Sequence, residues 1–183
     1  MAVDGVPRQK SGFNEKAAAN GGIASRLQSA RLVAAIAGSL CGDGRQAQAM
    51  RALFRVDGAA ERHPAVELWW DEHQGSLGAM AKRWFEAMRH CGDDVREVLH
   101  DGQPTACVGG AAFAYVDAFT SHVNVGLFER VELTDPQGLL EGAGKFMRHA
   151  KLTPGEKVDE AALSVLTDAA YADVKARLAA ETA

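Results

Sequence analysis

Asp117, His122 and Asn124 lie within eight positions of one another, and Tyr115 stands two residues before the first. A carboxylate close to an imidazole suits two kinds of chemistry. Asp117 can orient His122 as a general base, or the two can contribute oxygen and nitrogen ligands to a divalent metal. Catalysis also needs a nucleophile in a recognisable setting. Ser121 sits in a predicted turn, and Cys107 lies in an apolar extended run. Ser121 is adjacent to His122 but in the turn, and nothing makes Cys107 a thiolate, so neither has a recognisable catalytic setting and a non-catalytic binding role is the stronger expectation.

A second stretch with chemical potential is GLLEGAGKFMRHAKL, residues 138–152, which carries Lys145, Arg148, His149 and Lys151. A nucleotide-binding P-loop needs two glycines five positions apart, then Lys and Ser or Thr. Counting back from Lys145 puts Leu139 where the first glycine belongs, and Phe146 stands in place of the hydroxyl. No GxGxxG follows a predicted strand either. Lys145, Arg148 and His149 would converge on an anion only if a tight turn gathered them. The plainer reading is an ordered connection with Leu139, Leu140 and Met147 buried beneath it. An acidic cluster, Glu67, Asp71, Glu72 and His73, offers other metal ligands, with a solvated helix face as its plainer reading.

The elements around these residues follow from periodicity. Pro64 opens a helix whose face carries Val66, Trp69, Trp70 and His73. Gly75 ends it. Ser76 is expected to cap a second helix bearing Leu77, Met80, Ala81, Trp84, Phe85 and Met88. After Gly92, Asp93 is expected to cap a short third helix through Val95, Val98 and Leu99. The period then changes to two, with strands at 105–108, 112–119 and 122–128. Gly109-Gly110 and Thr120-Ser121 connect them, and Glu132 and Leu133 add a short extended piece. Asp135-Pro136 turns the chain. Asp159 caps a last helix with Leu163, Leu166, Ala170, Val174 and Leu178 on one face. The fold class is α+β: an antiparallel β-sheet meander packed against N-terminal helices and a C-terminal helix.

A two-residue loop at Thr120-Ser121 fixes a register. It sets Phe119 opposite His122, Asp117 opposite Asn124, Tyr115 opposite Gly126 and Phe113 opposite Phe128. Alternation then gives one small apolar face: Ala112, Ala114, Val116 and Ala118 beside Val123, Val125 and Leu127. The other face carries Phe113, Tyr115, Asp117 and Phe119 beside Phe128, Gly126, Asn124 and His122. Gly126 leaves room there for the Tyr115 ring. Aromatic side chains with a few polar groups are the usual lining of a small-molecule site. Cross-strand pairing at a solvated sheet end is the plainer reading of the same residues.

Composition narrows the classes. The 183 residues are 47% apolar, enough for a core, and the net charge of −4 argues against general nucleic-acid binding. Cys41, Cys91 and Cys107 are too few and too far apart for a disulfide framework or a zinc ribbon, so reduced thiols in the cytoplasm are expected. The longest apolar run, near residues 31–41, is too short to span a membrane. Residues 1–49 read as a flexible extension, or as sequence upstream of a true start at Met50, and 50–183 as the folded domain. Trp69, Trp70 and Trp84 would suit a protein-interaction module if they formed an exposed patch. Since Leu68 and Trp70 cannot share one buried stripe, one apolar group is expected to be exposed there.

Four segments together resemble the YdhG-like domain family, a largely uncharacterised bacterial family. They are Gly102-Gln103-Pro104-Thr105, Phe113-Ala114-Tyr115, residues 122–128, and the ending DPQGLLEGAGKFMRH at 135–149. The likeness covers residues 61–178. It departs at Leu127, where the family has phenylalanine, and at Arg130, where it has glycine. The resemblance implies an antiparallel sheet flanked by helices. It also implies a role, since some relatives are described as frataxin-like iron chaperones that bring ferrous iron to iron–sulfur or haem assembly proteins. The family gives no ligand set to carry over. Asp117, His122 and His149 are the metal candidates among this chain's own residues, and Tyr115, Asp117, His122, Asn124, Lys145 and Arg148 the ligand-binding candidates.

Overall fold

A computed structural model describes residues 52–128, 133–142 and 147–183. The 1–49 extension, the extended piece at Glu132 and the side chain of Lys145 lie outside these residues. In chain order the elements are α1 (Pro64–Glu72), α2 (Gly75–Arg89), β1 (Val95–His100), β2 (Gln103–Val108), β3 (Ala111–Ala118), β4 (Val123–Phe128), β5 (Met147–Leu152) and α3 (Glu160–Glu181). The five strands form one antiparallel meander in the order β1-β2-β3-β4-β5. The fold is α+β, with helices before and after the sheet. No helix among the described residues is long and apolar enough to cross a membrane.

The helices begin and end for local reasons. Pro64 occupies the first position of α1, and His63 caps it by accepting from the Ala65 amide at 3.3 Å. Ser76 is not the cap of α2. That helix starts two residues earlier than such a cap would set it, after Gln74, whose side chain reaches back to the Trp70 carbonyl at 2.6 Å and so serves the end of α1. The corner between α1 and α2 is tight. A Cβ at Gly78 would lie 1.5 Å from the His73 carbonyl oxygen, so only glycine fits. Asp159 caps α3 as expected, accepting from Ala162 at 2.9 Å.

The predicted third helix is a strand. Val95, Val98 and Leu99 have helical spacing, but residues 95–100 pair with β2 throughout. The cause is the Asp101-Gly102 dipeptide, where both residues take positive φ, 50° and 79°. This is the two-residue turn whose twist suits a hairpin, and it outweighs an ambiguous apolar spacing. Residues 147–152, expected to be a connection, form the fifth strand on the free side of β4. As the outermost named strand it buries only Ala150 and Leu152, so its sequence shows little alternation. Met147, expected to be buried, is 39% exposed, whereas Leu139 and Leu140 do pack against the core.

The predicted β3–β4 register is observed, from Ala114 opposite Leu127 to Ala118 opposite Val123. Two assignments of faces change. Between Ala106 and Cys107 the pairing of β2 with β3 slips by one, leaving Phe113 as the extra residue of a β-bulge. Phe113 therefore joins the helix-side core, with its ring 5.5 Å from that of Tyr171. Ala112 turns to the opposite side, beside Cys107 and Val98.

Helices cover one side of the sheet. Trp69, Trp70, Trp84, Phe85 and Met88 pack over the small residues Ala106, Ala114, Val116 and Val125, with Leu163, Leu166, Ala170 and Val174 from α3. All three tryptophans are buried, so no exposed tryptophan patch exists, and Leu68 is the exposed member of its pair. Glu97 is also buried on this side. Its carboxylate accepts from the His63 amide at 2.8 Å and from Arg89 Nε at 2.6 Å, tying β1 to both N-terminal helices.

Candidate functional site

The side of the sheet away from the helices is only partly covered. Residues 54–60 cross it as a strap. The Phe54 carbonyl accepts from Ala112 and the Val56 amide donates to Gly110, both at 2.9 Å. Ala60 exchanges two hydrogen bonds with Glu97 on the outer edge of β1. Val56 and Ala59 pack on Val98, Cys107, Ala112 and Phe128. The rest of the face has no covering element among the described residues.

Residues opposite one another in an antiparallel sheet share a face, so register arranges this side in rows. The first row crosses all five strands: His100, Gln103, Asp117, Asn124 and Lys151. Gln103 and Asp117 are joined by a hydrogen bond from Gln103 Nε2 to Asp117 Oδ2 at 3.0 Å. The second row is Val98, Thr105, Tyr115, Gly126 and His149, with Glu141 bridged to His149 beyond the edge of β5. Phe128 and Met147 lie in a third, apolar row.

The Tyr115 ring lies flat over Gly126. A Cβ at Gly126 would stand 1.9 Å from a ring carbon, so glycine at this position is what admits the ring. Tyr115 tilts against Phe128 at 5.3 Å between centroids, and Phe128 stacks on Phe54 at 4.8 Å. Phe54 also meets His100 edge-on at 5.2 Å. One ring from the strap thus reaches side chains on β1 and β4, two strands that are not neighbours. Burial, and then the nearby Asp117 charge, hold the Tyr115 hydroxyl above its ordinary pKa.

The polar groups of the first row are poorly matched inside the protein. Asn124 Oδ1 is buried with no hydrogen-bond partner. Asp117 and Lys151 stand on either side of Asn124, and among the described residues neither makes an ion pair. The described residues include five exposed large apolar side chains. Three of them, Phe54, Phe119 and Met147, belong to this side of the molecule.

The sequence candidates divide accordingly. Tyr115, Asp117 and Asn124 are brought together. His122 lies at the turn end, stacked on Phe119 at 4.6 Å, with the Ser121 hydroxyl 3.2 Å from its Nδ1. The Asp117 carboxylate is held by Gln103, and His122 is not bonded to it, so the proposed base pair is not assembled. His149 is on this face in the second row. Arg148 alternates to the helix side opposite Leu127, so Arg148 and His149 do not converge on one anion. Among the described residues no three His, Cys, Asp or Glu side chains form a metal-holding group, so Asp117, His122 and His149 do not make one. In the acidic helix, Glu67 pairs with Arg89 at 3.3 Å and His73 stacks on Trp69 at 3.7 Å. Burial pushes the Cys107 thiol up to about 11, which keeps it protonated and unreactive.

Gln103, Lys151, His100 and Phe54 were not singled out as site residues by the sequence reading. Gln103 had a signal, since the Asp-Gly hairpin sets it against His100 and alternation sets it on the side of Thr105. Phe54 had none, because nothing in a short segment before α1 announces a strap. Compared with protein-family models, with curated proteins and with solved structures, the chain matches none.

Proposed function

We propose that the protein is a non-catalytic binding protein that takes a small organic molecule on the sheet face of Tyr115, Asp117 and Asn124. The observation that carries this reading is the buried, unpartnered Asn124 Oδ1 beside the flat Tyr115 ring. A buried acceptor without a donor costs roughly 1–3 kcal/mol. A ligand that brings a donor to the row relieves that deficit, and a planar or apolar part of it covers the rings. The reading includes cytoplasmic residence, the expectation for a chain whose three cysteines are few and widely spaced. It also includes kinship with the YdhG-like family, which rests on the residues at 102–105, 113–115, 122–128 and 135–149.

The test is a fragment library titrated into the isotope-labelled full chain, read at the backbone amides. Saturable shifts at Tyr115, Asn124 and Gly126 that weaken in Tyr115→Ala are the expected result. Shifts confined to other surfaces, or none that saturate, overturn it. Ferrous iron, added anaerobically, is the competing cargo. If iron binds saturably and the binding falls in Asp117→Ala or His122→Ala, the face serves an iron carrier instead, with iron–sulfur or haem assembly proteins as recipients.

A further inference from the structure

We infer that the ligand of this face is a zwitterion of the α-amino-acid class with an apolar or aromatic side chain, its ammonium at Asp117 and its carboxylate at Lys151. The inference rests on the binding reading above and specifies the ligand it takes. Three features of the first row support it.

First, the row holds an unpaired acid and an unpaired base. Asp117 and Lys151 are each one strand away from Asn124, on opposite sides. Two strand spacings separate their backbones by about 9.6 Å, and no ion pair joins them. A head group bearing both charges can meet the two side chains at once, with a charge-assisted hydrogen bond of about 2.8 Å at each end. A simple cation would meet Asp117 but leave Lys151 as an unmatched like charge, and a simple anion would do the reverse.

Second, the residue between them is an amide. Asn124 carries acceptor and donor atoms on one side chain, and its Oδ1 lacks a partner. A head group that carries both an ammonium and a carboxylate offers that amide a donor and an acceptor together. Gln103 already occupies Asp117 Oδ2, which fixes the carboxylate in place and leaves Oδ1 for the ligand.

Third, the second and third rows and the strap together carry a shelf of rings. Tyr115 lies flat against the sheet, and Phe128 and Phe54 stack beside it. A side chain on the carbon that bears both charged groups extends over that shelf. The other titratable groups near the row are His100 and His149, Glu141 beyond the edge of β5, and Asp101 at the turn, whose carboxylate is 3.5 Å from His100.

Three probes with one phenyl ring separate the contributions: phenylalanine, 2-phenylethylammonium and 3-phenylpropionate. They are titrated into the full chain and followed at the Asn124 and Gly126 amides. Phenylalanine is expected to bind about tenfold or more tighter than either half-ligand. Asp117→Asn should erase its advantage over 3-phenylpropionate, and Lys151→Met its advantage over 2-phenylethylammonium. A half-ligand that binds as tightly as phenylalanine overturns the inference, as does an affinity that neither substitution changes. If all three probes fail while other fragments shift the same amides, the ligand class is wrong and the face is still a binding site. If no fragment shifts them, both fail.

Discussion

The two sides of the sheet use polar residues in opposite ways. On the helix side Glu97 is 1% exposed, and it draws donors from His63 and Arg89, while Arg89 also pairs with Glu86 and Glu67. Thr167, in α3, is equally hidden and bonds to the Leu163 carbonyl. On the open side Asn124 Oδ1 has no donor, Asp117 has one, and Lys151 has no ion pair. The helix side is not free of exceptions: Trp70 Nε1 is buried without an acceptor. A buried charge is tolerated where its partners are built in; the open side has the groups without the partners. Polar groups satisfied by their own fold hold it together, and those left unmatched are available to something else.

Removing a carboxylate from each side is the strongest way to break that comparison. Glu97→Ala takes away the only fully buried partner of the Arg89 guanidinium, which is 9% exposed, leaving it the more exposed Glu86 and Glu67, and frees the amide that leads into α1. Breaking one partner of a buried pair costs about 3–5 kcal/mol, so the urea midpoint should fall far, or the chain should fail to fold. Asp117→Ala removes one hydrogen bond from Gln103 on a half-covered surface, and about 0.5–1.5 kcal/mol is expected. Equal losses in the two variants would mean that the open side is as structurally committed as the helix side.

An intermediate effect is expected at Gly126. Alanine there puts a methyl group inside the van der Waals radius of the Tyr115 ring, at 1.9–2.0 Å from two of its carbons. The ring must lift, which exposes the sheet and disturbs its contact with Phe128. Overpacking of this kind costs about 1–3 kcal/mol. The sharper test is the double variant with Tyr115→Ser, in which the clash is gone. If Gly126→Ala is as harmful without the ring as with it, the glycine is needed for its backbone and not for the close approach.

How much of this was legible in the sequence depended on which side a residue served. The β3–β4 register could be read because Thr120-Ser121 fixed the count and alternation did the rest, down to the Tyr115 ring over Gly126. The capping of α3 by Asp159 was equally local. The failures lie where tertiary partners decide. Val95, Val98 and Leu99 fit a helix as well as a strand, and the Asp-Gly turn after them settled the matter. Residues 147–152 hide their strand because only Ala150 and Leu152 face the core. The bulge at Phe113 has no sequence signature, since an extra residue in a strand is visible only against its partner. Asp117 and Asn124 were found together because they lie on one hairpin. His149 and Lys151 reach the same face from a strand formed some twenty residues later, and no local spacing announces that pairing.

The smallest effect, and the most specific to the open face, is the titration of Tyr115. The chain has two tyrosines, Tyr115 and Tyr171, so Tyr171→Phe leaves a single phenol to follow by ultraviolet absorbance. Burial is the larger cause of the upward shift of Tyr115 and the Asp117 charge the smaller. Asp117→Asn should therefore lower the apparent pKa while leaving it above the ordinary value near 10. The same shift has a signed consequence for stability. Below pH 10 the folded and unfolded chains both hold the phenolic proton, and the contribution is fully present. Above pH 10 the unfolded chain releases it first, so the folded state binds more protons and stability falls as pH rises through the folded-state value. Replacing Tyr115 by Phe in the same background should flatten that alkaline decline. Saturating the face with its ligand should raise the Tyr115 pKa if an apolar side chain covers the ring, and lower it if an ammonium offsets the Asp117 charge more than the cover desolvates the phenol. Either movement shows the ring and the carboxylate responding as one surface, and a titration unmoved by both Asp117→Asn and ligand would separate them.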